Sequence, residues 1–86
     1  KAFYLALEKS LHNFLKARLN IQTSDMSKER ISRLLQERGV TVTTTAEFLK
    51  LLESCEFARY TPTSSVAMQQ DYENASRVIS EIDKQL

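Results

Sequence analysis

The run Ser27-Lys28-Glu29-Arg30-Ile31-Ser32-Arg33-Leu34-Leu35-Gln36-Glu37-Arg38-Gly39-Val40 carries both a start and a stop signal for one short helix. Ser27 is a good N-cap, because its hydroxyl can accept from a free N–H of the first turn, and the helix it opens spans about residues 28–38. Met26 before the cap and Ile31 after it stand at hydrophobic-staple spacing. Ile31, Leu34 and Leu35 form one buried edge, while Glu29, Arg33 and Glu37 follow at four-residue steps and support the exposed face. Gly39 takes the position just past the end, where a left-handed backbone is needed, and Val40 is the apolar residue expected after it.

The same period runs outward in both directions. Upstream, the segment Ala2–Leu19 puts Phe3, Tyr4, Leu7, Leu11, Phe14, Leu15 and Leu19 on one broad stripe. Glu8, Lys9, His12, Asn13 and Lys16 take the other side, with Leu5 among them as an exposed apolar residue. Arg18 falls inside the stripe, so it either snorkels at the rim or pairs with a carboxylate. A polar stretch over residues 20–25 separates this segment from the helix after Ser27.

Downstream, the β-branched residues 40–45 lack a partner strand and read as a docked loop. Thr44 with Glu47 three residues later reads as a capping box opening a third helix that runs to about Tyr60. Phe48, Leu52, Cys55 and Arg59 line one face of it, flanked by Leu49, Leu51 and Ala58, and Pro62 closes it by disfavouring helical geometry at Thr61. In the last segment, Met68, Tyr72, Ala75, Ile79, Ile82 and Leu86 are spaced four, three, four, three, four. Ser64 or Ser65 caps it. Fewer than three heptads favour the core face of a packed helix over a coiled-coil seam.

One glycine and one proline in 86 residues are too few for the turns of a β-rich domain. The expectation is an all-α fold: a small orthogonal bundle of four helices, with room for a short fifth turn, as a single domain over residues 1–86. Twelve Lys and Arg against eleven Asp and Glu leave a net charge of +1, no driving force for nucleic acid or an anionic membrane. A lone cysteine excludes an internal disulfide framework and allows a reducing compartment. No apolar run approaches the roughly 18 residues that cross a bilayer. The chain begins at Lys1 without a Met, which we read as a piece cut from a longer protein.

The inventory for catalysis is thin, and neither a cofactor nor a metal is expected. His12 reads as a solvated surface histidine, and Cys55 as a small buried hydrophobe rather than a redox thiol. One His and one Cys do not make a four-ligand zinc site, and no glycine-rich phosphate loop is present. The second and third helices together invite comparison with a helix-turn-helix, the alternative functional class. The helix that would enter the major groove, however, carries Glu47, Glu53 and Glu56 against Lys50 and Arg59, and phosphates repel carboxylates. The remaining candidates are Glu56, Phe57, Arg59 and Tyr60. Phe57 lies opposite Phe48 and Cys55 on the wheel and Tyr60 well off the core stripe, and aromatics beside an Arg have the composition of an interface hot spot. The plainer expectation for so small a bundle is that the fourth helix or the loop before it folds over Phe57 and Tyr60, with Arg59 paired to a carboxylate inside the domain.

The run Cys55-Glu56-Phe57-Ala58-Arg59-Tyr60, followed at once by Thr61-Pro62, resembles the signature near the C-terminus of BatD proteins, the aerotolerance or oxygen-tolerance proteins of the Bat operon of Bacteroidetes. Leu7-Glu8-Lys9-Ser10-Leu11, Phe14-Leu15 and Leu19-Asn20-Ile21 resemble the family's first helix and its exit. Met26-Ser27-Lys28 and Glu37-Arg38-Gly39-Val40 resemble its second, and Met68, Tyr72, Ala75 and Ile79 follow the spacing of its last. His12 stands where the family pattern has an aromatic residue. The resemblance spans nearly the whole chain. It implies the cytoplasmic helical domain, C-terminal to a transmembrane helix, of an inner-membrane-anchored protein. The implied partners are other products of such operons: von Willebrand A-type domain proteins, a tetratricopeptide-repeat protein and a MoxR-type ATPase. No catalytic residues come with the family.

Overall fold

A computed structural model describes residues 2–23, 26–62 and 64–86. Lys1, where the chain begins, and Ser24 and Asp25 of the polar 20–25 stretch lie outside the described residues. Tyr4, Leu7, Leu11, Leu15 and Leu19 recur every three or four residues, so one side of a helix is apolar throughout, and α1 (Ala2–Leu19) buries all five. Phe3 and Phe14, at the edges of this stripe, are half-buried against the core. Asn20 ends the helix in the left-handed region at φ 57°, its N–H donating to the Lys16 carbonyl at 2.9 Å. An amide side chain tolerates that conformation better than most.

The second helix, α2 (Lys28–Glu37), has the termini its sequence announces. Ser27 Oγ accepts from the Arg30 N–H at 3.3 Å. At the far end Gly39 adopts φ +97°, its N–H donating to the Gln36 carbonyl and the Val40 N–H to the Leu35 carbonyl. These are the paired bonds of a Schellman cap, and the Val40 side chain is buried behind them.

The third helix, α3 (Val42–Phe57), starts earlier than the Thr44–Glu47 pattern predicts, and most of the 40–45 stretch is helix rather than docked loop. The N-cap is Thr41, whose Oγ1 accepts from the Thr44 N–H at 3.3 Å and donates to Thr44 Oγ1 at 3.0 Å. Glu47 is unavailable for a capping box because its carboxylate pairs with Arg77 at 2.8 Å. The cap is reinforced from the far end of the chain. Gln85 Oε1 accepts from the Thr41 N–H at 2.8 Å, and Gln85 Nε2 donates to Thr44 Oγ1 at 3.2 Å. The helix also ends three residues before the expected Tyr60, in a tightened turn where Arg59 N–H donates to the Glu56 carbonyl and Tyr60 N–H to that of Phe57.

The fourth helix, α4 (Ser65–Gln85), is capped by Ser64, whose Oγ accepts from the Ala67 N–H at 3.1 Å. Its buried line is Ala75, Val78 and Ile82, rotated slightly from the expected one: Ala75 and Ile82 are buried and Met68 and Ile79 half-buried against the core as expected, but Tyr72 is 60% exposed and Leu86 is at the surface. The rotation has a cause. Asp71 and Gln85, on the line with Ala75, Val78 and Ile82, accept from the Tyr4 hydroxyl at 2.6 Å and clamp the α3 cap. Two polar residues at inward positions disguise the true period.

The four helices form a small all-α bundle in which α3 packs against each of the other three and α1 packs against α4. The Cα radius of gyration, 12.4 Å, is close to the value of about 12 Å for a compact chain of this length. Phe48, Leu11, Leu15, Ile31, Leu35 and Ile82 sit at the centre, essentially without solvent exposure. At the rim Arg18, inside the α1 stripe, pairs with Asp83 of α4 at 3.0 Å.

Candidate interaction surface

The 55–60 segment occupies the last turn of α3 and the turn beyond it, and helical geometry divides its side chains three ways. Cys55 and Ala58, on the side of Phe48 and Leu52, are buried. Glu56 and Arg59 border the same cavity and are each committed to a different helix. Glu56 Oε2 accepts from Lys28 Nζ of α2 at 2.8 Å, and Arg59 Nη2 donates to Glu8 Oε1 of α1. The Glu56 carboxylate raises the Lys28 ammonium above its ordinary value, chiefly by accepting its hydrogen bond. Phe57 and Tyr60 point outward, 61% and 86% exposed. The expectation that helix four or its leading loop covers them is corrected: α4 packs on the flank of α3 opposite Glu56 and leaves both rings bare. The accompanying expectation for Arg59, a carboxylate partner within the domain, is met by Glu8.

Leu5 belongs to the same neighbourhood, though its position on the polar face of α1 marks it only as a stray apolar residue. It is 57% exposed and, with Tyr4, Cys55, Ala58 and Arg59, walls a groove of about 120 Å³. The three- and four-residue spacing of Leu5, Glu8 and His12 on α1 places Leu5 one turn from Glu8, so the Glu8–Arg59 pair brings it to the end of α3. No local sequence signal reveals that juxtaposition, because it depends on how α1 crosses α3.

The catalytic candidates resolve into structural roles. His12 is not a solvated surface residue: it is half-buried, and its Nδ1 lies 2.8 Å from Oγ1 of the fully buried Thr23, tying the loop after α1 to the helix. Burial, followed by the nearby carboxylates of Glu8 and Asp71, pushes the Cys55 thiol up to about 12. At neutral pH the sulfur is a buried, protonated thiol, the opposite of the accessible thiolate a redox sensor requires. Among the described residues, no three His, Cys, Asp or Glu side chains converge as a metal site. No described helix is long and apolar enough to cross a membrane.

The fold defines a class, an all-α four-helix bundle with an aromatic outer surface at the end of its central helix. No family model matches the chain, and no curated protein or solved structure is significantly similar to it.

Proposed function

We propose that this is a non-enzymatic protein-interaction domain of a BatD-like, membrane-anchored protein. On this reading it sits at the cytoplasmic face of the inner membrane, where it helps assemble a Bat complex linked to oxygen and stress tolerance. The observation that carries the interaction reading is the division of labour in the 55–60 segment. Buried Cys55 and Ala58 anchor the segment and its polar residues pair with α2 and α1, through Lys28–Glu56 and Glu8–Arg59, while Phe57 and Tyr60 stay exposed. Two exposed aromatics on a rigid support lose little conformational entropy on binding, the usual property of an interface anchor. The family assignment rests on the sequence resemblance, and the partners it implies are von Willebrand A-type domain proteins, the tetratricopeptide-repeat protein and the MoxR-type ATPase of the operon. The alternative, a helix-turn-helix, has less support: α3, which would enter the major groove, packs against all three other helices, and its exposed strip sets one cation, Lys50, against the carboxylates Glu53 and Glu56.

The test is co-purification with co-expressed Bat operon proteins. Phe57→Ala and Tyr60→Ala, both at exposed positions, should abolish recovery of the partner while leaving the helical circular-dichroism signal and unfolding midpoint unchanged. Recovery undiminished by the double substitution, or no recovery by the unaltered domain, sinks the proposal.

A further inference from the structure

We infer that α2 is a strap that opens from α3 as a unit, with the Lys28–Glu56 ion pair as its clasp. Among the described residues α2 has backbone neighbours on α3 alone, whereas α1 and α4 pack on α3 and on each other. Two of its ten residues, Ile31 and Leu35, are buried and Leu34 is partly buried against the core, where α1 buries five, α3 six and the longer α4 three. Its N-terminal half does not close against α1. A cavity of about 360 Å³ lies beneath it, lined by Glu8, His12, Met26, Lys28, Ile31, Leu52, Glu56 and Arg59.

Polar contacts, exposed apart from the part-buried His12–Thr23 pair, hold the strap at each end, beside the half-buried Met26 and the buried Val40. Before it stand the His12–Thr23 contact and the Lys28–Glu56 pair, and beyond it the Thr41 N–H rests on Gln85 Oε1. Gly39, at φ +97°, supplies a backbone position that bends without a side-chain penalty. Opening therefore costs the burial of Ile31 and Leu35, the partial burial of Leu34 and a solvent-screened ion pair, less than unfolding the α1–α3–α4 core. It bares Ile31 and Leu35 together with Leu52 on α3, an apolar surface hidden in the closed form. The clasp residue Glu56 adjoins Phe57 in the chain, so a partner seated on the exposed aromatics lies within reach of the release point. This last link rests on the interaction reading; the opening itself does not.

Native-state hydrogen exchange on the 86-residue chain tests the strap. The α2 amides should exchange at least about tenfold faster than those at the centre of α3, with a shallow dependence on urea because little surface is exposed. Lys28→Ala, or roughly half-molar salt, should speed α2 exchange about two- to fivefold and leave α3 unaffected. The charge reversal Lys28→Glu with Glu56→Lys should restore the original protection. Exchange of α2 at the α3 rate with the same urea slope, or a Lys28→Ala effect spread equally over all four helices, overturns the inference.

Discussion

Thr45 offers the sharpest test of how the core is built. Its side chain is 1% exposed, and its Oγ1 has no hydrogen-bond partner among the described residues. A buried hydroxyl left without a partner costs about 1–3 kcal/mol. Thr45→Val replaces it with a methyl group of nearly the same shape, and the helix propensities of Thr and Val are alike, so backbone preference contributes almost nothing. The substitution should therefore stabilise the domain by about 1–2 kcal/mol. For a chain of 86 residues, that raises Tm by roughly 5–10 °C. The neighbouring threonine supplies the control with the opposite sign. Thr44 Oγ1 accepts from Thr41 Oγ1 at 3.0 Å and from Gln85 Nε2 at 3.2 Å, so Thr44→Val strands two donors and should destabilise by about 1 kcal/mol. Thermal unfolding followed by far-ultraviolet circular dichroism reads both. If Thr45→Val melts at or below the parent temperature, the hydroxyl is satisfied in solution and the accounting of the core is wrong.

Three further outcomes follow from single contacts. Gly39→Ala puts a Cβ 3.5 Å from the Gln85 carbonyl oxygen, an ordinary contact, so its cost is the left-handed backbone alone. The urea midpoint should fall by the equivalent of about 1–2 kcal/mol with an unchanged slope; no shift would mean that the Schellman turn relaxes freely. Cys55 should react with a disulfide reagent only as fast as the domain opens, because its thiol is buried and raised to about 12. Labelling at the rate of a free thiol refutes that. Glu47, hydrogen-bonded by Arg77, titrates below its ordinary value of 4.5. A depressed carboxylate contributes stability above its unfolded value and loses it as pH falls through the folded one. The advantage of the parent over Glu47→Gln should accordingly be present at neutral pH and vanish in acid; an advantage that persists in acid contradicts the pairing.

Local chemistry made much of the fold legible. The α1 stripe, the Ser27 cap and the Gly39–Val40 stop are decided by residues within a turn or two of one another, and each stands where the sequence places it. The errors fall where a residue answers to a distant partner. Thr44 and Glu47 look like a capping box, but Glu47 is drawn to Arg77 and the cap passes to Thr41, which Gln85 completes from 44 residues away. Of the α4 seam Met68, Tyr72, Ala75, Ile79, Ile82 and Leu86, all but Tyr72 and Leu86 pack on the core, but Asp71 and Gln85 also turn inward, to reach Tyr4 and the α3 cap, and Tyr72 is left exposed.

The 55–60 segment shows the same divide at the candidate site. Its residues mark it out in the sequence, and the wheel alone sets Phe57 opposite the core. Whether a neighbour covers the ring is a question about α4, since a helix wheel describes one helix and burial depends on two. By itself the sequence determined the helical class, most of the helix ends and the core membership of α1 and α3, because periodicity and capping act over a few residues. Only the tertiary structure decided which side of α4 faces inward, which carboxylates Arg18, Lys28, Arg59 and Arg77 find, and that Phe57 and Tyr60 are left to solvent. Those outcomes depend on groups far apart in the chain, which meet only when the helices cross.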